Sequence, residues 1–575
     1  MSFDTDGARG RGSSSNSISS GNSNDSKGKH LDVAESKEKR TSTQLDGDNA
    51  RKTAKTRDED GLPQGNVAVR MNQDYLDPKF IDSFYKAFTC KAVASEEDCQ
   101  PETVSIPTES GEGIVVVSPF HTGRLYNILP KDFLYGLRKE LGALNWHERL
   151  NDLYWFYQTD DLALNGNTHI KALRDYLAGE EFVSFMERIT GIGLTRGYLD
   201  LAAQRYKKGN HLLCHDDDVQ RGKLTRKIAY IIYLVDEDWT TEDGGSLGLF
   251  KSDSDMCPTR VVARIVPKFN SIGFFLTGHA SYHTVEEVTV NSRDRERWSV
   301  TGWFYGPATP ESTEPSDTDA GVLSLQDSVL PRMFEFADSD GIVSELHDED
   351  YAELKKWINA DYAGARVVDR IQEAFLNESS VELRDFLRPD IFDRCVAEMN
   401  HGFWSDAALL GPAHVSKYLR ANVDSGNAAT LYELLAFLRS PVFARFLSGV
   451  TSLRFSSMSQ EARQFKHGHY TLVHDQVVEP FGVDVTLSLM PRPEEKAPDV
   501  QWDESWGGST HYIADKDELL RISPESNSLS LVLRDEGTLR FVKYVNHMAK
   551  AVRQDIAMVF VESPEEECED DDAEG

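Results

Sequence analysis

Apolar residues recur at helical spacing in DPKFIDSFYKAF from Asp77 and in LPKDFLYGLRKELGAL from Leu129, which predicts two amphipathic helices early in the chain. A different pattern follows. GYLDLAAQRY from Gly197, HLLCHDD from His211, IAYIIYLV from Ile228, SLGLF from Ser246, RVVARIVP from Arg260, SIGFFL from Ser271 and WSVTGWFY from Trp298 are short runs, alternating or wholly apolar, separated by turn residues. Short strands behind a helical lead predict a mainly β fold with flanking helices, a sandwich or jelly roll.

The pattern then repeats. LRDYLAGEEFVSFMERITGIGL from Leu173 is answered by LLAFLRSPVFARFLSGVTSL from Leu434, each a helix pair with two phenylalanines three apart (Phe182 and Phe185, Phe443 and Phe446). RYKKGNHLLCHDD is answered by QFKHGHYTLVHDQ, Gly244–Ser246 by Gly507–Ser509, Asn270 by Asn527, and Arg297 by Arg553, in the same order and each offset by roughly 260 residues. One domain type is therefore expected twice in tandem. The boundaries read as a disordered tail over 1–65, a first domain over 66–306, a linker over 307–345 opened by PATPESTEPSDTD, a second domain over 346–562 and an acidic tail over 563–575.

Composition narrows the function classes. The net charge is -33, so the surface should repel phosphate backbones and anionic membranes and attract basic proteins; neither nucleic acid nor membrane is an expected partner. No apolar run is long enough to span a bilayer, and the N-terminus lacks a signal-peptide core. Six cysteines without a paired spacing indicate a reducing compartment, hence cytoplasm and nucleus. The basic pieces Lys37–Arg40 and Arg51–Arg57 read as parts of a solvated mixed-charge tail.

Candidate chemistry centres on His215 and Asp217, two apart in a run that reads as a strand, so that both point to one face. His283, after the strand SIGFFL, suits a third ligand, and two imidazoles with one carboxylate leave open positions on iron(II). His211 and His279 are rival imidazoles but neither has a carboxylate two residues on. Arg297 begins RWSVTGWF, and counting by twos places Arg297, Ser299 and Thr301 on one face, a fork and a hydroxyl suited to a carboxylate. A zinc hydrolase could use the same three ligand types, but would not call for the Arg–Ser strand. In the second copy His474 answers His215, whereas Gln476 stands for Asp217 and Arg540 for His283, so the second domain is expected to be a degenerate, non-catalytic copy.

The run YKKGNHLLCHDDD, RKIAYIIYLV, GGSLGLF, SYHTVEEV and RWSVTGWFYGP resembles the 2-oxoglutarate- and iron-dependent prolyl hydroxylases that modify a small-subunit ribosomal protein, a family that includes the fungal translation-termination and polyadenylation factor. The resemblance covers about residues 70–562 and implies two double-stranded β-helix domains. It further implies Fe(II) at His215, Asp217 and His283, 2-oxoglutarate held by Arg297 with Tyr206 and Tyr233 lining the pocket, O₂ as co-substrate, ascorbate (vitamin C) in support, and a role in translation. The insert between Asp217 and Arg226 is longer than in that family, which bears on Tyr233. A second class of function, an oxygen-responsive regulator that captures a partner protein through the second domain, is compatible with the degenerate copy.

Overall fold

The computed structural model describes residues 67, 69–90, 102–292, 294–308, 329–336, 345–400, 403–424, 426, 428–474, 477, 479–491, 502–514 and 517–563. Both expected tails, most of the linker and Gln476 lie outside them, Ser563 excepted.

The helical lead forms where the apolar spacing puts it. Asp77 Oδ1 accepts from the Lys79 amide and Pro78 opens the helix Pro78–Phe88, whose Phe80, Ile81, Phe84 and Phe88 are buried along one face. Phe84 and Phe88 meet Phe274 of the sheet with ring centroids 5.9 and 5.8 Å apart. Burial of each such ring stabilises by about 2 kcal/mol. The pair Thr168–Leu177 and Glu180–Thr190 follows the same logic, and the second helix stops at Gly191, which takes the left-handed conformation at φ 76°.

The first sheet is antiparallel throughout and runs in the order Thr103–Pro107, Glu112–Val116, Thr122–Tyr126, Ser271–Leu276, Leu224–Tyr233, Arg297–Pro307, Ala202–Tyr206, Tyr154–Gln158, His211–His215, His283–Val285, Leu247–Ser252, Pro258–Ile265. Tyr154–Gln158 is where it folds over, pairing with Ala202–Tyr206 through Tyr157 and Gln158 and with His211–His215 through Tyr154 and Trp155. The two layers enclose two apolar groups, one with Phe156, Tyr206 and Val285 and one with Tyr233, Leu249 and Phe275. This is the double-stranded β-helix.

The second half repeats it in register. Arg553 pairs with Phe465 and Asp555 with Ser488 as Arg297 pairs with Tyr206 and Ser299 with Tyr233. Tyr512 pairs with Arg540 as Leu249 pairs with His283. Here the smaller layer, Thr510–Ala514, Asp517–Ile522 and Leu539–Val542, forms a separate three-stranded sheet. The helix pair Ala429–Leu438 and Pro441–Thr451 is packed into the second core, and among the described residues no single helix is long and apolar enough to cross a membrane.

The linker expectation needs correction. The Arg297 strand runs on through Pro307, and Met333–Glu335 pairs with Ser457–Ser459 of the second sheet. Phe334 packs against the second core and under the Arg439 guanidinium, 5.1 Å from its ring centroid, which draws this stretch into the domain. The halves also touch each other: Leu213 packs with Tyr470 and Leu472, and Cys214 and Phe250 with Ala413.

Candidate active site

His215 and His283 face each other across the ladder, their ring centroids 4.2 Å apart. Each ring is oriented from behind: His215 Nδ1 lies 2.8 Å from Leu213 O and His283 Nδ1 2.8 Å from Ser281 O. Those carbonyls can only accept, so the proton sits on Nδ1 and each Nε2 lone pair is left for a metal. Asp217 completes the group, with Oδ1 3.6 Å from His215 Nε2 and Oδ2 3.3 Å from His283 Nε2. The three donor atoms lie within 4.8 Å of one another, compatible with a metal whose ligands sit at about 2 Å and so about 3 Å apart.

Asp217 does not reach this position by strand alternation, as the sequence suggested. The strand ends at His215, and Asp217 turns in from a left-handed residue at φ 62°, a conformation aspartate tolerates better than most side chains. The turn also sends Asp218 outward to His279, 3.0 Å away, so His279 is exposed and apart from the cluster. His211 is buried elsewhere, its Nδ1 3.0 Å from Gly209 O and its ring 4.2 Å from that of Tyr544 in the second half.

The electrostatics suit metal binding. Burial, with the neighbouring His283, pushes His215 down to about 4, so the ring is neutral at physiological pH. Burial opposes the charge on Asp217, but the imidazoles of His215 and His283 and the Arg226 guanidinium outweigh it and hold the carboxyl below its ordinary range. Trp303 Nε1 donates to Asp217 Oδ2 at 3.2 Å, and Arg226 stacks on the Trp303 ring at 3.6 Å.

Arg297 is 1% exposed. Its Nε donates to Gly245 O at 2.8 Å and its Nη1 to Ser299 Oγ at 3.4 Å, while Nη2 is buried without a partner. The guanidinium lies 5.0 and 5.2 Å from the ring centroids of Tyr206 and Tyr233, and Tyr233 Oη is also buried without a partner. Residue 245 must be glycine, because it has φ 68° and a Cβ there would come within 2.6 Å of Arg297 Cδ. A buried guanidinium with a free donor, beside a free phenol, calls for an anion with two oxygens.

The second half shows the same arginine with that need met internally. Arg553 Nη1 donates to Gly508 O at 2.5 Å, and Nη2 lies 2.6 Å from Asp555 Oδ2, the carboxylate standing at the position of Ser299. Phe465 and Ser488 stand where Tyr206 and Tyr233 stand in the first half. Arg540, at the position of His283, is tied to Asp484 at 2.9 Å and Glu479 at 2.8 Å. The expected substitution at Gln476 lies outside the described residues.

Trp303 and Arg226 were not singled out from the sequence, although Trp303 shares the strand parity of Arg297 and Ser299 and could have been found by counting. Arg124 was missed for a better reason: nothing near it in sequence marks it. It is buried, donates to Ser271 Oγ at 3.4 Å and sits 5.9 Å from the Tyr233 ring centroid. A separate cavity of about 540 Å³ opens between the halves, lined by Asp152, Trp155, His211, His511, Phe541 and Lys543; it contains none of the triad.

Two imidazoles and a carboxylate beside an unpaired arginine define the iron(II)- and 2-oxoglutarate-dependent oxygenases. Residues 201–305 match the 2OG-Fe(II) oxygenase superfamily, and residues 349–570 match the oxoglutarate and iron-dependent oxygenase degradation C-terminal family. The chain is 30% identical over 560 residues to mouse prolyl 3-hydroxylase OGFOD1, covering 83% of this chain and 93% of that one. It is 32% identical over 471 residues to the Xenopus laevis prolyl 3-hydroxylase OGFOD1 (75% and 84% covered) and 30% identical over 502 residues to the Ostreococcus tauri prolyl 3,4-dihydroxylase OGFOD1 (77% and 95%). The chain belongs to the OGFOD1 family of 2-oxoglutarate- and iron-dependent oxygenases. Its cofactor is Fe(II), and its co-substrates are 2-oxoglutarate and O₂.

Proposed function

We propose that this chain hydroxylates a prolyl residue of a basic protein, a small-subunit ribosomal protein, and acts thereby in translation. His215, Asp217 and His283 hold the iron, and Arg297, Ser299 and Tyr233 take the far carboxylate of 2-oxoglutarate, with Tyr206 as the pocket wall. The observation that carries this reading is the free Arg297 Nη2 and Tyr233 Oη beside the triad, in contrast to Arg553 with its own aspartate.

With 2-oxoglutarate and O₂, the bound iron supplies the oxidation that places a hydroxyl on carbon. The protein supplies position and charge. Leu213 O and Ser281 O keep the Nδ1 protons in place, so that both Nε2 atoms stay free of protons and aimed inward. Trp303 steadies Asp217 through Oδ2, and the Gly245 carbonyl fixes the plane of Arg297. The relatives' names specify proline. The net charge of -33 favours a basic polypeptide, and the resemblance to hydroxylases of a ribosomal protein supplies the rest.

Ascorbate supports turnover, and the protein works in cytoplasm and nucleus. The second half, with Arg540 where a ligand would be, recruits the substrate or a regulatory protein. Mass spectrometry of small-subunit ribosomal proteins from cells with and without this gene tests the proposal. A proline carrying one or two added oxygens only in the presence of the gene supports it, and identical spectra refute the ribosomal substrate.

A further inference from the structure

Glu287 belongs to the first half, yet its carboxylate is satisfied by the second. Its side chain is 3% exposed. His467 Nε2 lies 2.9 Å from Oε2, His547 Nδ1 2.5 Å from Oε1, the His547 amide 3.0 Å from Oε2, and Tyr544 Oη 3.4 Å from Oε2. Among the described residues every donor to this carboxylate comes from the second half.

The backbone of the same residue leads to the active site. Glu287 stands two residues beyond the strand His283–Val285 that carries one triad imidazole. Its carbonyl accepts from the Gly245 amide at 3.1 Å, and the Gly245 carbonyl accepts from Arg297 Nε at 2.8 Å. The next residue, Val288, bonds to Gly209 and Asn210, which lead into the strand of His215. One buried carboxylate is thus linked by short paths to His283, to the start of the His215 strand and to Arg297, without facing the metal or the co-substrate.

We infer that Glu287 is a positioning residue, through which His467, Tyr544 and His547 of the non-catalytic half hold the metal and 2-oxoglutarate pockets of the catalytic half in register. The degenerate copy is then part of the active-site scaffold. A pocket works when its groups are held within about 0.5 Å by neighbours that are themselves fixed. Glu287 fixes the far end of the His283 segment and the loop beneath Arg297. The inference rests on the assignment of His283 and Arg297 to those pockets.

The test uses the full-length chain, with Mn(II) as a redox-inert metal and N-oxalylglycine as a 2-oxoglutarate analogue, both titrated by calorimetry. Glu287→Gln keeps the shape and removes the charge. It should weaken both affinities at least about tenfold, leave the circular dichroism spectrum unchanged, and be partly corrected in Glu287→Asp. If Glu287→Gln does not fold, His467→Gln with His547→Gln removes the same grip from the other side and should give the same weakening. Asp350→Asn is the control, since Asp350 is a buried carboxylate whose Oδ1 lies 2.6 Å from Arg445 Nη2 within the second half. It should leave both affinities as they are. Wild-type affinities in Glu287→Gln and in the histidine pair, or equal weakening in Asp350→Asn, would overturn the inference and reduce Glu287 to a contributor to general stability. Unchanged affinity for N-oxalylglycine in Arg297→Ala would instead overturn the pocket assignment beneath it.

Discussion

Replacing Ser299 with aspartate should build into the catalytic half what the second half already carries. Asp555 stands at the equivalent strand position and places Oδ2 2.6 Å from Arg553 Nη2. Ser299 Oγ is 3.4 Å from Arg297 Nη1, so a carboxylate at position 299 reaches the guanidinium. The internal pair takes over a contact that the co-substrate's far carboxylate would make and sets a like charge beside it. A hydrogen bond to a charged group contributes about 1.5–3 kcal/mol net, and with the added repulsion the loss should be about 3 kcal/mol. At about 1.4 kcal/mol per tenfold this is a loss of roughly 150-fold in affinity. The assay is calorimetric titration of N-oxalylglycine, alongside the apparent KM for 2-oxoglutarate and the melting temperature. Ser299→Asp should lose affinity and hold or raise Tm, because the orphaned donor gains a partner. Arg297→Ala should lose affinity and lower Tm, because Tyr206 and Tyr233 lose their contact with the guanidinium. Binding by Ser299→Asp within threefold of wild type would refute the reasoning, since Arg297 would then not be the carboxylate grip.

Alanine at His215, Asp217 or His283 should abolish turnover with the fold retained by circular dichroism, whereas His279→Ala should keep most activity; equal loss in His279→Ala would displace His283 as the third ligand. Iron analysis of the loaded protein should give about one ion per chain, since Arg540 fills the corresponding place in the second half; a count near two would contradict this. Burial pushes His211 down to about 4 from its ordinary 6.5, so the unfolded chain takes up this proton first, and the stability tied to the neutral ring, full above pH 6.5, is lost as pH falls toward 4. About 2 kcal/mol is lost by pH 5, so urea unfolding should show a shallower decline from pH 7 to pH 5 in His211→Phe than in wild type; parallel declines would exclude His211 as a source.

Much of this architecture was legible because local spacing and tertiary burial agree. The faces of Pro78–Phe88 and Glu180–Thr190, the strands from Ala202 to Pro307, and the repeat of Gly244–Gly245 as Gly507–Gly508 all stand where pattern and turn residues place them. Arg297 and Ser299 share a face as counting by twos requires. Asp217 was found for the wrong reason: it follows the strand and enters through one left-handed residue, which no periodicity encodes. Met333–Glu335 looked like linker because a three-residue edge strand is too short to show a pattern. Glu287, His467 and His547 were invisible for another reason. Each is an ordinary polar residue locally, and only the packing of the two halves brings them together.

The central claim is tested most directly with the purified full-length chain, Fe(II), 2-oxoglutarate and isotopically heavy O₂, acting on small ribosomal subunits from cells that lack the gene. The account predicts heavy oxygen on a proline of a small-subunit protein, succinate formed in step with it, and neither product from Asp217→Ala. Absence of label on proline from the wild-type chain, or equal labelling by Asp217→Ala, would contradict it.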